Sequence, residues 1–139
     1  MTAIPVFDFK KGLSKYIREA SSGLEVVAEN KHEPRKVSLV NTEIFSAALD
    51  ALHFSIIESF DYELGIYTLA IDEIPPYGEG KTKEEAIESL LDAIHDYCDA
   101  YLYRLEVYSV LDTPTQRALM LKLIRCGEDR KAILHALRM

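Results

Sequence analysis

The order of apolar runs and chain breakers in the first fifty residues constrains this 139-residue chain more than any other feature. The segment Ile4-Pro5-Val6-Phe7-Asp8-Phe9 reads as extended, and Lys10-Lys11-Gly12 follows it. Leu13, Tyr16, Ile17 and Ala20 then recur at helical spacing. Ser21-Ser22-Gly23 stops that helix, because glycine enters the left-handed cap without strain. Leu24 to Ala28 and Val37 to Val40 form two β-rich runs, joined by the polar turn Asn30-Lys31-His32-Glu33-Pro34. Asn41 offers an N-cap to a helix with Phe45, Ala48, Leu49 and Leu52 on one face. Strand, short helix, hairpin and helix in that order predict a small sheet covered by helices.

A new pattern begins near residue 53. His53 to Phe60 and Gly65 to Ile74 read as antiparallel strands around the turn Asp61-Tyr62-Glu63-Leu64-Gly65. Pro75-Pro76 closes the second strand, and Gly78 and Gly80 are expected in a loop. Thr82 and Glu85 predict a capping box at the start of a long helix. Its apolar stripe is Ala86, Ile87, Leu90, Leu91, Ile94, Tyr97, Cys98, Tyr101 and Leu102. Glu84, Glu88, Asp92, Asp96 and Asp99 fill its other side. Carboxylates near a helix C-terminus oppose the helix dipole, so that face is either simply solvated or completed by an external cation. A last pair of helices is expected. Thr113, Pro114 and Gln116 start one that runs to Arg125, Cys126-Gly127 breaks it, and Glu128–Leu137 forms the second.

Composition bounds the function classes. Hydrophobic residues at 48% and charged residues at 28% suit a globular chain. No run approaches the ~20 apolar residues of a membrane span, and the N-terminus lacks a signal-peptide profile. A cytoplasmic protein is therefore expected, with Cys98 and Cys126 as reduced thiols rather than a disulfide. The net charge of -7 is unevenly spread. Residues 1–52 hold seven basic and seven acidic side chains, residues 53–112 three and fourteen, and residues 113–139 six and two. The acidic middle suits a basic protein partner and repels nucleic acid. The basic tail can meet phosphate or neutralise the middle within the fold.

The first segment resembles the N-terminal domain of Phd/YefM antitoxins. Val6 ends the strand pattern, Lys10 stands at the position of the family's usual Arg, and Leu13 is the expected Leu. Ser22-Gly23 followed by Glu25-Val26-Val27 matches the entry to the second strand, and Pro34 and Val37 match the hairpin. Asp8-Phe9 and His32-Glu33-Pro34 depart from the common Glu-Ala and Gly-x-Pro. The resemblance implies a homodimer that presents the first helix's N-terminus to operator DNA. Lys10 and Lys11 would lie beside free helix N–H groups, which suits a phosphate, and Lys15, Lys31, Arg35 and Lys36 would extend the site. The alternative for these six is ordinary surface charge.

A second resemblance covers residues 54–102. Tyr67-Thr68-Leu69-Ala70-Ile71-Asp72-Glu73-Ile74-Pro75, then Gly80-Lys81-Thr82-Lys83-Glu84-Glu85-Ala86, is similar to HicB-type antitoxins. Pro76-Tyr77-Gly78 replaces that family's usual Gly-Cys. HicB proteins neutralise a small ribonuclease toxin, so the resemblance implies a basic toxin, with a ribonuclease as candidate class. The acidic row Glu84, Glu88, Asp92, Asp96 and Asp99 is the expected toxin-binding face.

Other constellations point to less. Residues 113–139 fit a helix-turn-helix with Arg130, Lys131, His135 and Arg138 on its second helix, and equally a hairpin that packs on the sheet. His95, Cys98 and Asp99 have ligand spacing, yet no second cluster completes a metal site. Asp72-Glu73 is a lone acidic pair at a strand end. Tyr97, Tyr101, Tyr103 and Tyr108 suit either an interface or half-buried core positions. No phosphate loop, nucleophile elbow or zinc-protease motif is present.

The expectation is thus an α+β chain in three parts. Residues 1–52 form a Phd/YefM-like dimerisation and DNA-binding domain. Residues 53–112 form a HicB-like ββα unit for the toxin, and residues 113–139 a helical hairpin. The function implied is the antitoxin of a type II toxin–antitoxin pair that represses its own operon, with no catalysis, cofactor or metal. The alternative is an interaction or scaffold module that kept the fold without DNA or toxin.

Overall fold

The computed structural model describes residues 3–139, except for the side chain of Pro34. Among them are two three-stranded sheets and seven helices, an α+β architecture. The chain divides into two compact units, Met1–Ala48 and Leu49–Met139.

In the first unit, β1 (Ile4–Pro5) pairs parallel with β2 (Val26–Asn30), and β2 pairs antiparallel with β3 (Glu33–Leu39). The extended segment expected from Ile4 to Phe9 stops at Pro5, and α1 (Val6–Lys11) begins at once. Val6, Phe7, Asp8 and Phe9 are too short a run for period alone to assign, and the helix brings together an i,i+4 pair. Lys11 Nζ lies 4.4 Å from the Phe7 ring centroid, a contact that helical i,i+4 spacing favours. Gly12 separates α1 from α2 (Leu13–Ser21), and Phe9 stacks on Tyr16 across that join at 5.6 Å. The end of α2 is a Schellman cap. Gly23 has φ +104°, its N–H donates to the Ala20 carbonyl, and the Leu24 N–H donates to Glu19. Asn41 caps α3 (Thr42–Asp50) as expected. Its Oδ1 accepts from the Glu43 and Ile44 N–H groups, while its Nδ2 donates to the Ser21 carbonyl.

In the second unit, β4 (Ile56–Asp61), β5 (Ile66–Ile71) and β6 (Tyr77–Gly80) form an antiparallel meander. β6 is the segment expected as a loop. Its two glycines let α4 (Lys83–Tyr103) lie directly on the strand. A Cβ at Gly78 would sit 2.2 Å from the Leu90 nitrogen and 2.3 Å from the Ala86 carbonyl oxygen. The helix also closes the β6 edge. Ser89 Oγ accepts from the Glu79 N–H, and the Glu85 carboxylate accepts from the Lys81 N–H. Thr82 caps α4 by accepting from the Glu85 N–H, but Glu85 reaches back to Lys81 rather than to Thr82, so the expected reciprocal box is only half formed.

A short helix not expected from sequence, α5 (Leu105–Leu111), follows α4. Then α6 (Pro114–Ile124) starts with the full capping box of Thr113 and Gln116. The break at Gly127 leads into α7 (Arg130–Leu137), two residues later than expected because Asp129 provides the N-cap. Leu69 and Ile71 of the sheet, Leu90 and Ile94 of α4, Met120 and Leu123 of α6, and Ile133 and Leu137 of α7 share one core. The C-terminal helices therefore pack as a hairpin on α4.

Candidate functional site

The acidic row of α4 is a continuous line of carboxylates on the second unit. Glu88, Asp92, Asp96 and Asp99 project from successive turns and are mostly exposed, with Glu84 at the helix start. Much of the cation that this face needs comes from the chain itself. Arg130 at the start of α7 donates from Nη1 to Glu88 at 2.8 Å and from Nη2 to Asp92. His95 lies between Asp96 and Asp99 on its own helix, with Nδ1 3.7 Å from each, and its Nε2 is 3.6 Å from Glu128 in the α6–α7 turn. Asp99 is the main cause that raises the His95 pKa above its ordinary 6.5. Desolvation opposes this, and Asp96 and Glu128 add to it. Sequence reasoning placed the carboxylates but missed Arg130, His95 and Glu128 as their partners. No local pattern could have found Arg130, which lies 38 residues beyond Asp92.

The same pairing changes the helix-turn-helix reading. Arg130 is held by α4, and Ile133, Ala136 and Leu137 of the same helix are buried. Glu73 also has a local structural task, since its carboxylate accepts the Ser55 N–H at 2.7 Å.

The basic residues of the first unit are distributed over two elements. Lys10 and Lys11 occupy the last turn of α1 and, with Gly12, directly precede the N-terminus of α2, the helix expected from Leu13, Tyr16, Ile17 and Ala20. Lys15 follows in α2, with its Nζ 5.7 Å from the Tyr16 ring centroid. Arg35 and Lys36 are adjacent in β3 and so leave the sheet on opposite faces, with Lys36 opposite Glu29. Lys31 sits in the hairpin turn.

The tyrosines at the end of α4 form a ring cluster. Tyr101 stacks on Tyr108 of α5 at 4.7 Å, and Tyr97 lies 6.0 Å from Tyr108. Burial first, then Asp112, pushes the Tyr97 phenol up to about 12. Tyr103 stands apart and exposed. Burial likewise pushes the Cys98 thiol up to about 11 and raises that of Cys126, and both are free thiols. No group of three or more His, Cys, Asp or Glu side chains with metal-holding geometry occurs among the described residues. No helix there is long and apolar enough to cross a membrane.

No curated protein matches the chain. A crystal structure of an antitoxin from a proposed toxin/antitoxin system of Syntrophomonas wolfei subsp. wolfei has the same fold. Its TM-score is 0.71 and its identity 16%, over 98% of this chain and 96% of that one. A PHD-like family model, described as the antitoxin of toxin–antitoxin, RelE/RelB systems, matches residues 1–135. The match spans both units, and the chain belongs to this family of toxin–antitoxin antitoxins.

Proposed function

We propose that this antitoxin neutralises a basic protein toxin through its second unit, and dimerises and represses its own operon through its first. The observation that carries the dimer is the small core of the first unit. Among its described residues only Ala20 and Val26 are buried apolar side chains, while Phe7, Leu13, Ile17, Leu24 and Val37 are exposed. A unit of this size buries too little surface to stand alone, and a second copy supplies the missing contacts. The Phd/YefM-like element order supports the same assignment, as the ββα order of the second unit supports the HicB-like one. Lys10, Lys11 and Lys15, with Arg35 and Lys36, are the DNA-binding candidates. They act as point charges on phosphate more than as readers of bases. Glu84, Asp96 and Asp99 are the toxin-facing candidates, and Glu88 and Asp92 join them when a toxin cation displaces or shares Arg130. No catalytic step or cofactor belongs to this reading, and its setting is the cytoplasm, where toxin and operator would meet. A ribonuclease is the candidate toxin class.

The test is binding of the full chain to its own promoter across a salt series. Binding that weakens steeply with salt, and that Lys10→Glu with Lys11→Glu abolishes, supports repression. No binding at low salt overturns it. The second reading, an interaction module without a toxin, draws on one observation: Arg130 and His95 already meet much of the acidic face. A small basic protein encoded beside this chain that forms a complex with it excludes that reading.

A further inference from the structure

The two sheets have four edges, and three of them are guarded against pairing. β1 is only two residues long. β3 carries Pro34, Arg35 and Lys36, and its pairing shifts register at Glu29/Asn30, all devices that discourage strand addition. The edge of β6 is closed by Ser89 and Glu85 of α4, which take the outward N–H groups of Glu79 and Lys81. β4 differs. It runs six residues in unbroken register, holds no Pro, Lys or Arg, and is exposed along nearly its whole length.

The direction of its free groups follows from the ladder. The Asp72 N–H donates to the Ser55 carbonyl, so Ser55 and Asp72 form a hydrogen-bonded pair. Alternation then turns Ile57, Ser59 and Asp61 toward β5, and turns the N–H and C=O of Ile56, Glu58 and Phe60 outward. The same rule turns Tyr77 and Glu79 of β6, and Lys81 just beyond it, outward, and α4 satisfies the last two. Apolar side chains flank the open edge: Ile57, Phe60 and Tyr62 are exposed, and the Phe60 ring lies 5.0 Å from both Tyr62 and Tyr67.

We propose that β4 is a docking edge on which an extended segment of a basic protein partner adds as a fourth strand. Backbone bonds to Ile56, Glu58 and Phe60 would give affinity, and the exposed aromatic and apolar side chains would select alternate residues of the guest. Charge selects the occupant. Residues 53–112 hold fourteen carboxylates against three basic side chains. Of the two in the strand, Glu58 lies 3.5 Å from Lys83 while Asp61 accepts from the Glu63 and Leu64 N–H groups. The complement to a basic guest is therefore the net charge of the region rather than either carboxylate alone. A second copy would bring like charge to like, whereas a basic segment is complemented. The inference rests on the reading that the chain neutralises a basic toxin, and it names the contact.

The experiment uses the full chain and the protein encoded by the adjoining reading frame, purified as a complex. Amide exchange at Ile56, Glu58 and Phe60 slows at least tenfold relative to the free chain. Glu58→Pro, which removes an outward N–H, weakens the complex at least tenfold relative to Glu58→Gln, which keeps it. Free-chain exchange rates at those three amides, within a complex that protects other sites, overturn strand addition and leave the toxin reading standing. Equal binding by the folded Pro and Gln variants does the same. Should Glu58→Pro fail to fold, the exchange measurement decides alone. No complex at all overturns the toxin reading and the basic occupant with it. Protection of the three amides in the chain alone, rising with its concentration, assigns the edge to a second copy and overturns the proposal.

Discussion

Gly78 has no room for a side chain, because the contacts its Cβ would make are with helix backbone, which cannot swing aside. Gly78→Ala must push α4 off β6 and is expected to cost about 3 kcal/mol, the upper end for overpacking, as measured by urea denaturation. A cost under about 0.5 kcal/mol, the range of an ordinary surface substitution, would show that the helix does not seat there. Arg138 presents the opposite case. It ends α7 in the left-handed region at φ 60°, with its N–H on the His135 carbonyl and the Met139 N–H on Leu134, a cap that favours glycine. Arg138→Gly should therefore stabilise by up to roughly 1 kcal/mol and raise the thermal midpoint. His95 adds a pH dependence. Its pKa is raised mainly by Asp99, so the folded value lies above the unfolded one. The stability it contributes is full below the ordinary value of 6.5 and is lost as pH rises through the folded value. An NMR titration should place the His95 midpoint above 6.5, and His95→Gln should remove that slope from the stability profile. A midpoint at or below the ordinary value would mean that Asp96, Asp99 and Glu128 do not act on the ring.

Element by element, sequence was most informative where local chemistry decides the outcome. Thr113-Pro114-Thr115-Gln116 starts a helix through bonds within four residues, and α6 begins there with both reciprocal bonds made. Thr113→Ala should cost about 1 kcal/mol, the usual value of a lost N-cap, measured by thermal or urea unfolding. One element that sequence missed is made by distant contacts. Tyr77-Gly78-Glu79-Gly80 has poor strand propensity, and it is a strand because β5 pairs with one side and α4 seals the other. α1 opens on a short, mostly apolar run, and such a run is too brief for periodicity to distinguish helix from strand. The acidic row on α4 was legible in position. Its internal cation was not, since Arg130 reaches it only through the fold of α6 and α7 on α4.

The two units differ sharply in how they meet the cost of folding. The second holds all fifteen residues of the main buried cluster. The first buries Ala20 and Val26 and leaves Phe7 at 67% and Val37 at 68% exposure. Leu13 and Ile17, four residues apart on α2, present one exposed apolar face of that helix. In the proposed dimer these side chains would gain a partner surface, which a closed two-fold supplies twice. Stability in such an assembly follows protomer concentration. The thermal transition of the first unit should therefore rise with protein concentration, while that of the second stays fixed. Ile17→Asp places a charge on the shared face. Sedimentation equilibrium at micromolar concentration should then read a monomer where the wild type reads a dimer, promoter binding should fall with it, and the second unit should unfold as before. A wild type that sediments as a monomer, with a first transition indifferent to concentration, would mean that the first unit finds its missing contacts elsewhere and that the dimer assignment is wrong.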